Sequence, residues 1–436
     1  MTGSNALKAD PKLYAILALA GVGVLSSTLV SPALPGMAST FDLTEARVGM
    51  VMTAFFLTAV VAIPTVGAVT DIWGRRTVFL WSLLVYGAAG VLIGFVDTFA
   101  VILLLRAVQG CAFPGLLPMA ITLIGDLYDG ATATTAQGYL TSITGLGGIV
   151  SPLAAGVLVD VSWRLPFLLY GITFVAFVMC YFWLPEPDSS PDPGSSKGVS
   201  AGSKSDASPN PEAGTLENPG TGTPGNPDTL PLGDTPAPAV SSRIGTMVRE
   251  VWNALTREAG IVIFGVIVLF FVRYALFTFI PLYAVTVLGT SELIGGVAVA
   301  VLGIGRFVAA PYAGWLATRI SRPTILVSSL LCFGAGTWAL LLTTDTWAVI
   351  AILGLTSMGD GLFDPVANDI VTMSAPADVR GRIVSVLEVG KTGAISVSPV
   401  AFGFLLSVSS YAMLFLTGGA LMAVTAVIVG IVLFDG

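Results

Sequence analysis

Residues 67–76 read GAVTDIWGRR and form a short polar connection between two long apolar runs. The runs on either side, about 46–70 and 77–96, are each long enough to cross a hydrocarbon layer of roughly 30 Å as a helix. Gly74 permits a tight turn between them, and Asp71 is placed to accept from the free N–H groups of a helix N-terminus. The stretch predicts two membrane helices joined by a charged turn.

The same alternation of apolar run and short connection extends over most of the 436 residues. The chain is 55% hydrophobic and 10% charged, against about 25% charged in soluble proteins. A soluble core cannot hide so much apolar surface, so we expect an all-α integral membrane protein embedded in a lipid bilayer. The twelve predicted segments, numbered 1 to 12, are 13–34, 46–70, 77–96, 98–124, 136–158, 163–183, 259–287, 292–316, 324–343, 346–372, 383–406 and 411–434.

Composition also excludes several classes of protein. There is no histidine, and Cys111, Cys180 and Cys332 stand singly in apolar runs, so we predict no metal site, no disulfide framework and no cofactor. A net charge of -7 excludes a nucleic-acid partner. No nucleophile motif is present, so an enzyme is not expected. The polar N-terminus, residues 1–12, leads into a full span without a cleavage site, which predicts no signal peptide.

Four regions follow from the distribution of apolar and polar residues. Residues 1–184 and 258–436 are predicted six-helix bundles. Residues 185–242 hold twelve prolines and no aromatic residue, which predicts a disordered cytoplasmic linker. Residues 243–257 place their apolar side chains on one helical face, which predicts an amphipathic helix in the membrane interface.

The positions of Lys and Arg predict the orientation in the plasma membrane. With both termini cytoplasmic, thirteen of these residues fall in inner loops or tails and two in outer loops. The outer two are Arg47 and Arg164. The inner ones are Lys8, Lys12, Arg75, Arg76, Lys197, Lys204, Arg243, Arg249, Arg257, Arg319, Arg322, Arg380 and Arg382.

An internal repeat relates the two predicted bundles at a constant offset of 247 residues. A parallel repeat of this kind predicts two halves of equal orientation, with the substrate site at their interface near mid-membrane. The matching pairs are Gly49 with Gly296, Pro64 with Pro311, Gly67 with Gly314, Arg75 with Arg322, Pro118 with Pro365, Pro152 with Pro399, Gly156 with Gly403, and Gly171 with Gly418.

Several of these residues carry a resemblance to the major facilitator superfamily. GAVTDIWGRR resembles the family signature GxxxDxxGRR in Gly67, Asp71, Gly74, Arg75 and Arg76, and LLLRAVQG resembles its RxxQG element. Segment 5 resembles the GxxxGPxxGG motif of the drug:proton antiporter branch. Its corresponding residues are Gly147, Ser151, Pro152, Ala155 and Gly156, with two family glycines replaced by small residues.

The resemblance implies a twelve-helix fold of two six-helix bundles and a cytoplasmic gate. In that gate Asp71 faces the N-terminus of segment 11 near Gly381, and Arg75 pairs with Asp126 at the inner end of segment 4. The alternative is that Arg75 and Arg76 only anchor the topology. In the second half Thr318 and Ser321 stand where Asp71 and Gly74 would be, so the two gates are not equivalent.

Charged residues within the spans are costly and therefore functional candidates. In the first half Arg106 is the single one, with a substrate anion, a backbone carbonyl or a carboxylate across the cavity as its partner. In the second half they are Arg273, Arg306, Asp360, Asp364, Glu388 and Lys391. Asp360, Asp364 and Asn368 follow i, i+4, i+8 spacing and predict one polar stripe facing a cavity.

Two hypotheses for this charged set remain open. Two carboxylates one turn apart resist joint ionisation, which suits a proton carrier; Asp364 and Asp360 are the first candidates and Glu388 the next. Alternatively, Arg273 and Arg306 neutralise the acids in a permanent network. Arg106, Arg273, Arg306, Asn368 and Lys391 are the candidate contacts of a substrate in the cavity.

We expect a monomeric secondary active transporter that works by alternating access and exports a small organic molecule in exchange for protons. Sodium as the coupling ion stays open. Uptake or facilitated exchange of an anionic or sugar-like metabolite is the alternative, with the buried arginines as its anchors. A transporter-like sensor without flux is less favoured, because no long ordered soluble segment is predicted.

Overall fold

The computed structural model describes residues 10–128, 130–184, 255–374 and 380–434, without the side chains of residues 67, 68, 71, 131, 380 and 381. The predicted linker and nearly all of the predicted amphipathic helix lie outside these ranges. Twelve long helices form in the described parts. They are α1 (Pro11–Phe41), α2 (Glu45–Trp73), α3 (Arg75–Ile93), α4 (Phe99–Leu127), α5 (Gly130–Val159), α6 (Leu165–Trp183), α7 (Arg257–Thr286), α8 (Glu292–Ala309), α9 (Arg322–Ala339), α10 (Thr346–Ser374), α11 (Arg380–Val408) and α12 (Tyr411–Phe434).

Each predicted segment corresponds to one of these helices, which confirms the all-α, two-bundle architecture. Within the described ranges, eleven of these helices are long and apolar enough to cross a membrane. The twelfth, α9, falls short because its 18 residues include Arg322, Pro323 and several small polar side chains. It nevertheless packs along both α10 and α12, as a bundle helix does.

Proline explains where helices are interrupted, since it lacks an N–H and clashes with the preceding turn. In α1, a single 3-10 turn at Ser31–Ala33 contains Pro32, and the helix then continues to Phe41 instead of ending near residue 34. In α4, a similar turn at Phe113–Gly115 divides the helix. Helix α8 ends at Ala309, before Pro311, and a short helix Tyr312–Ala317 completes the predicted span.

The helices alternate in direction, so the connections lie at two ends of the molecule. The connections 42–44, 94–98, 160–164, 287–291, 340–345 and 409–410 define the predicted outer end. The connections around residues 74 and 310–321, together with the helix ends at Leu127, Gly130, Ser374 and Arg380, define the predicted inner end.

The two halves meet through α2 against α11 and α5 against α8. A methyl group added at Gly49 would lie 2.8 Å from the carbonyl oxygen of Pro399, and one added at Gly296 would lie 2.6 Å from that of Pro152. Gly49 and Gly296 are repeat partners, and so are Pro399 and Pro152. The repeated residues therefore form two equivalent contacts, and in each of them a glycine of one half lies directly against the backbone of the other half.

Candidate functional site

Six charged side chains of the second half meet between its helices, five from the interior of a helix and Arg306 from the last turn of α8. They come from four helices: Arg273 from α7, Arg306 from α8, Asp360 and Asp364 from α10, and Glu388 and Lys391 from α11. We call this set the charged network. It contains every charged residue of the second half that the sequence placed deep within a span.

Asp360 is the most enclosed carboxylate of the charged network. Its side chain is 3% exposed, and its Oδ2 atom lies 3.3 Å from Nη1 of Arg273 and 4.0 Å from Nε of Arg306. The guanidinium of Arg273 lies over the rings of Phe270 and Tyr274, with centroids 4.8 and 5.5 Å away. Two cations thus surround Asp360, and an aromatic wall backs the nearer one.

Asp364 joins two helices through two different cations. Nη2 of Arg306, on α8, donates to its Oδ2 atom at 2.6 Å, and Nζ of Lys391, on α11, lies 3.2 Å from its Oδ1 atom. Nδ2 of Asn368 donates to the same Oδ1 at 3.3 Å. Asp364 is 14% exposed, so it lies between the enclosed Asp360 and the open side of the network.

Lys391 is shared between two acids. Its Nζ atom donates to Oε1 of Glu388 at 2.9 Å and to Oδ1 of Asn368 at 3.3 Å, while also facing Asp364. Glu388 is 58% exposed. The three carboxylates are therefore graded in their access to the surroundings, with Glu388 outermost and Asp360 innermost.

The aromatic neighbours of the network link it to the first half. The ring of Phe270 lies under both Arg273 and Lys391. Tyr274 contacts Phe56 of α2, with ring centroids 5.4 Å apart. The sequence signal for this wall is the spacing of Phe270, Arg273 and Tyr274 at i, i+3, i+4, which places all three on one face of α7.

The chemistry of the network is that of a balanced set of charges. Three cations face three anions, so protonation of any carboxylate leaves an uncompensated positive charge in a poorly solvated place. The freed cation then needs another partner, either a second acid or a bound anion. Among the described residues, no cluster of acidic or sulfur side chains is arranged to hold a metal ion.

Arg106, the charged residue of the first half, is fully buried and bound to backbone. It donates to the carbonyl oxygen of Ser26 at 2.9 Å, to that of Val51 at 3.2 Å and to Oε1 of Gln109 at 2.9 Å. Gln109 in turn donates to the carbonyl oxygen of Tyr86. These contacts connect α1, α2, α3 and α4, which supports a role in holding the bundle together. Direct contact with substrate stays a prediction.

At the predicted inner end, Arg75 forms an ion pair with Asp126, the partner expected for it. The side chains of Asp71 and Gly381 lie outside the described ones, so their contact also stays a prediction. Arg76 donates to the carbonyl oxygen of Tyr181 at 2.6 Å. Gly74, with φ of 79°, forms the tight turn for which glycine is favoured.

The second half contains a related ion pair that the sequence did not predict. Nε of Arg322, the repeat partner of Arg75, donates to Oδ2 of Asp369 at 2.8 Å. The sequence did not indicate this pair because Thr318 and Ser321 replace the acid and the glycine of the first-half motif. The arginine has kept a carboxylate partner from α10 although the rest of the turn has changed.

Nearby, the hydroxyl of Tyr128 donates to Oδ2 of Asp10 at 2.8 Å, which ties the inner ends of α4 and α1. Partial burial raises the pKa of Tyr128 above its usual value, and the carboxylate of Asp10 raises it further, so the hydroxyl remains a donor.

The small residues of α5 lie where helices approach closely. A methyl group added at Gly156 would lie 3.1 Å from Cα of Gly296 on α8. Ser151 donates to the carbonyl oxygen of Gly147 at 2.7 Å within α5 and also contacts the hydroxyl of Thr28 on α1. The carbonyl oxygen of Pro152 lies against Gly296, and Ala155 is fully buried. The motif thus packs α5 against one helix from each half.

A sequence model described as Major Facilitator Superfamily matches residues 16–308 and 264–436 of the chain. Two relatives from Bacillus subtilis (strain 168) align over part of it. The multidrug transporter protein MdtP is 32% identical over 29% of this chain and 24% of its own length. A bacillibactin exporter is 29% identical over 35% of this chain and 40% of its own length. The aligned part is therefore less than half of either relative.

A solved structure shares the fold over nearly the whole chain. A bacterial homologue of the human lysosomal transporter Spinster, in an inward-facing and unoccupied conformation, superposes with a TM-score of 0.72. The match covers 97% of this chain and 96% of that one, at 16% identity.

Proposed function

The chain belongs to the major facilitator superfamily, and we propose that it is a secondary active transporter that exports a small organic molecule in exchange for protons. Transport by alternating access requires two halves that rock against each other around a site between them. The contacts of α2 with α11 and of α5 with α8 are suited to that motion, because in each of them a glycine, Gly49 or Gly296, lies directly against the backbone of the other half.

The position of Asp364 carries the proposal. It binds Arg306 on α8 and Lys391 on α11, the two helices of the second half that pack along α5 and α2. A proton on Asp364 weakens both contacts at once. Protonation therefore changes how the two interface helices are held together, which is what coupling of a proton to a rocking motion requires.

Lys391 connects a second carboxylate, Glu388, to the protonation of Asp364. When Asp364 is protonated, Lys391 retains Glu388 as its acid partner; when Asp364 is ionised, it divides its attraction between the two. Glu388 is the more exposed acid, so we place it on the route by which protons or substrate reach Asp364. Asp360, with Arg273 on one side, is the structural member of the set.

Export fits the relatives better than uptake does. The aligned relatives are described as a multidrug transporter and an exporter. In addition, every cation of the charged network already has an acid partner, so an anionic metabolite would have to displace a carboxylate to bind Arg273 or Arg306. We further propose a monomer in the plasma membrane, and we place both termini in the cytoplasm from the distribution of Lys and Arg.

The test is proton movement in energised inverted vesicles. A panel of drugs, sugars and organic anions is added while a pH-sensitive dye reports the gradient. We expect at least one compound to dissipate the gradient with the wild-type protein and not with Asp364→Asn. The matched control is Asp97→Asn, which removes an acid that is 82% exposed and paired with Arg164 at the predicted outer end.

The outcomes separate the hypotheses. Undiminished pH-driven transport by Asp364→Asn would exclude this residue as the carrier. Substrate counterflow without proton movement in the wild type would exclude proton coupling and leave a uniporter or a transporter driven by another ion, such as sodium.

A further inference from the structure

The N-terminus of α8 is capped by a residue from the opposite half. Oδ1 of Asp160, just after α5, accepts a hydrogen bond from the backbone N–H of Leu293 at 2.9 Å. The residue at the N-cap position of α8 itself is Ser291, and its side chain makes no capping hydrogen bond. An orphan N–H of the second half is therefore satisfied by a carboxylate of the first half.

The surroundings of this contact show that it lies directly in the interface. One turn before Asp160, Gly156 touches the backbone of Gly296, one turn after Glu292. On the other side, Oε1 of Glu292 would lie 3.2 Å from a methyl group added at Gly36 of α1. The first turn of α8 is thus held among residues of the first half, and the contact exists only while the halves are together at the predicted outer end.

The repeat provides an internal comparison. The residue equivalent to Asp160 is Ser407, and the helix equivalent to α8 is α2, whose N-cap Thr44 also makes no capping hydrogen bond. The hydroxyl of Ser407 donates to the carbonyl oxygen of Phe404 in its own helix at 2.8 Å. The two outer contacts share their glycines, but only the one between α5 and α8 shows a carboxylate cap among the described residues.

We propose that Asp160 is a one-sided outer latch, a positioning residue that holds the predicted outer end closed by capping α8 across the interface. The carboxylate also faces the positive end of the α8 dipole, which adds attraction without requiring a basic residue. When the halves separate, the N–H of Leu293 loses this partner and turns to water or Ser291. The latch therefore favours the closed state by about the contribution of one helix cap.

The test measures the opening of the predicted outer end directly. Spin labels at Phe95 and Leu342, two exposed repeat partners after α3 and α9, report the distance between the halves. They are introduced into the cysteine-free protein, a variant that lacks the three native cysteines. We expect Asp160→Ala to raise the ratio of open to closed population by about fivefold.

Two variants complete the design. Ser407→Ala is the matched control, and we expect it to leave the distance distribution unchanged. Asp160→Asn keeps an amide oxygen that can accept the hydrogen bond but loses the charge, so its shift should be smaller than that of Asp160→Ala. Asp160 is exposed, so neither variant removes a buried group.

The proposal is overturned if folded Asp160→Ala shows the wild-type distribution, or if Ser407→Ala shifts it equally. The distance measurement needs no substrate and no proton gradient. A failure of the latch is therefore distinguishable from a failure of proton-coupled export.

Discussion

Replacement of Gly296 by alanine should force the two halves apart at the predicted outer end. The added Cβ atom would lie 2.6 Å from the carbonyl oxygen of Pro152 and 2.8 Å from Cα of Gly156, whereas unstrained carbon contacts lie at about 3.5–4.0 Å. Both atoms belong to the backbone of α5, so no side-chain rotation can relieve the clash.

The magnitude follows from the fact that the clash exists only in the closed state. Overpacking of this kind costs about 1–3 kcal/mol. In the open state the same alanine meets no partner, and its better helix propensity than that of glycine applies to both states equally. The closed state of Gly296→Ala should therefore lose about 1–3 kcal/mol relative to the open one, roughly a 5- to 150-fold change in their ratio.

The assay is the distance between labels at Phe95 and Leu342 in the cysteine-free protein. The matched control is Gly138→Ala on the same helix as Gly156, where an added methyl group has no neighbour within 4 Å. Gly49→Ala, the repeat-related change, should act in the same direction, because its Cβ atom would lie 2.8 Å from the carbonyl oxygen of Pro399. A wild-type distribution in folded Gly296→Ala would refute the close contact between α5 and α8.

Two further predictions concern stability, measured as thermal unfolding of the purified protein. Arg106→Met should destabilise it by about 3 kcal/mol, because the carbonyl oxygens of Ser26 and Val51 and the amide oxygen of Gln109 lose their buried charged donor. Arg47→Met, at an exposed site, should have little effect, and equal shifts would contradict the assigned contacts. Arg273→Met should destabilise the protein strongly, because it leaves Asp360 without its nearest cation. Adding Asp360→Asn should restore part of the lost stability, with a coupling energy of about 1–3 kcal/mol between the two residues. Additive losses of stability would mean that the two residues are not energetically paired.

The sequence predicted the fold because membrane helices are encoded by local composition. Each apolar run corresponds to a helix, and the repeat identified Gly49, Gly296, Pro152 and Pro399 as related positions before their contacts were known. Periodicity also placed Asp360, Asp364 and Asn368 on one face of α10, where Asp364 and Asn368 do meet. These features depend on spacing along one helix.

Spacing along one helix does not predict which residues of different helices form pairs. Which cation reaches Asp364 depends on the rotation and tilt of α8 and α11, and neither is fixed by periodicity. The sequence did not indicate the ion pair of Arg322 with Asp369, because the motif around Arg322 has changed. Nor did it indicate that Asp160 caps α8, because the two come from opposite halves. In each case the deciding information is the packing between helices.

The charged residues of the two halves differ in a way that assigns them different tasks. In the first half, the partners of Arg106 are two backbone carbonyls and an amide, none of which gains or loses a proton in the working range of pH. In the second half, the partners of Arg306 and Lys391 are carboxylates, a type of side chain that can carry a proton. Among the charged residues deep within the described spans, that of the first half is thus held by groups that carry no exchangeable charge, and those of the second half are held by carboxylates.

Helix α8 links proton binding to motion. Arg306 and Leu293 lie on the same helix, thirteen residues or about 20 Å apart, so α8 carries both the partner of Asp364 and the N–H that Asp160 caps. If protonation of Asp364 loosens α8 and thereby favours release from Asp160, then opening of the predicted outer end must raise the proton affinity of Asp364 by the same factor, because linkage between two equilibria is reciprocal. Protons would then be taken up when the outer end is open and given up when it closes, which is the order that export in exchange for protons requires.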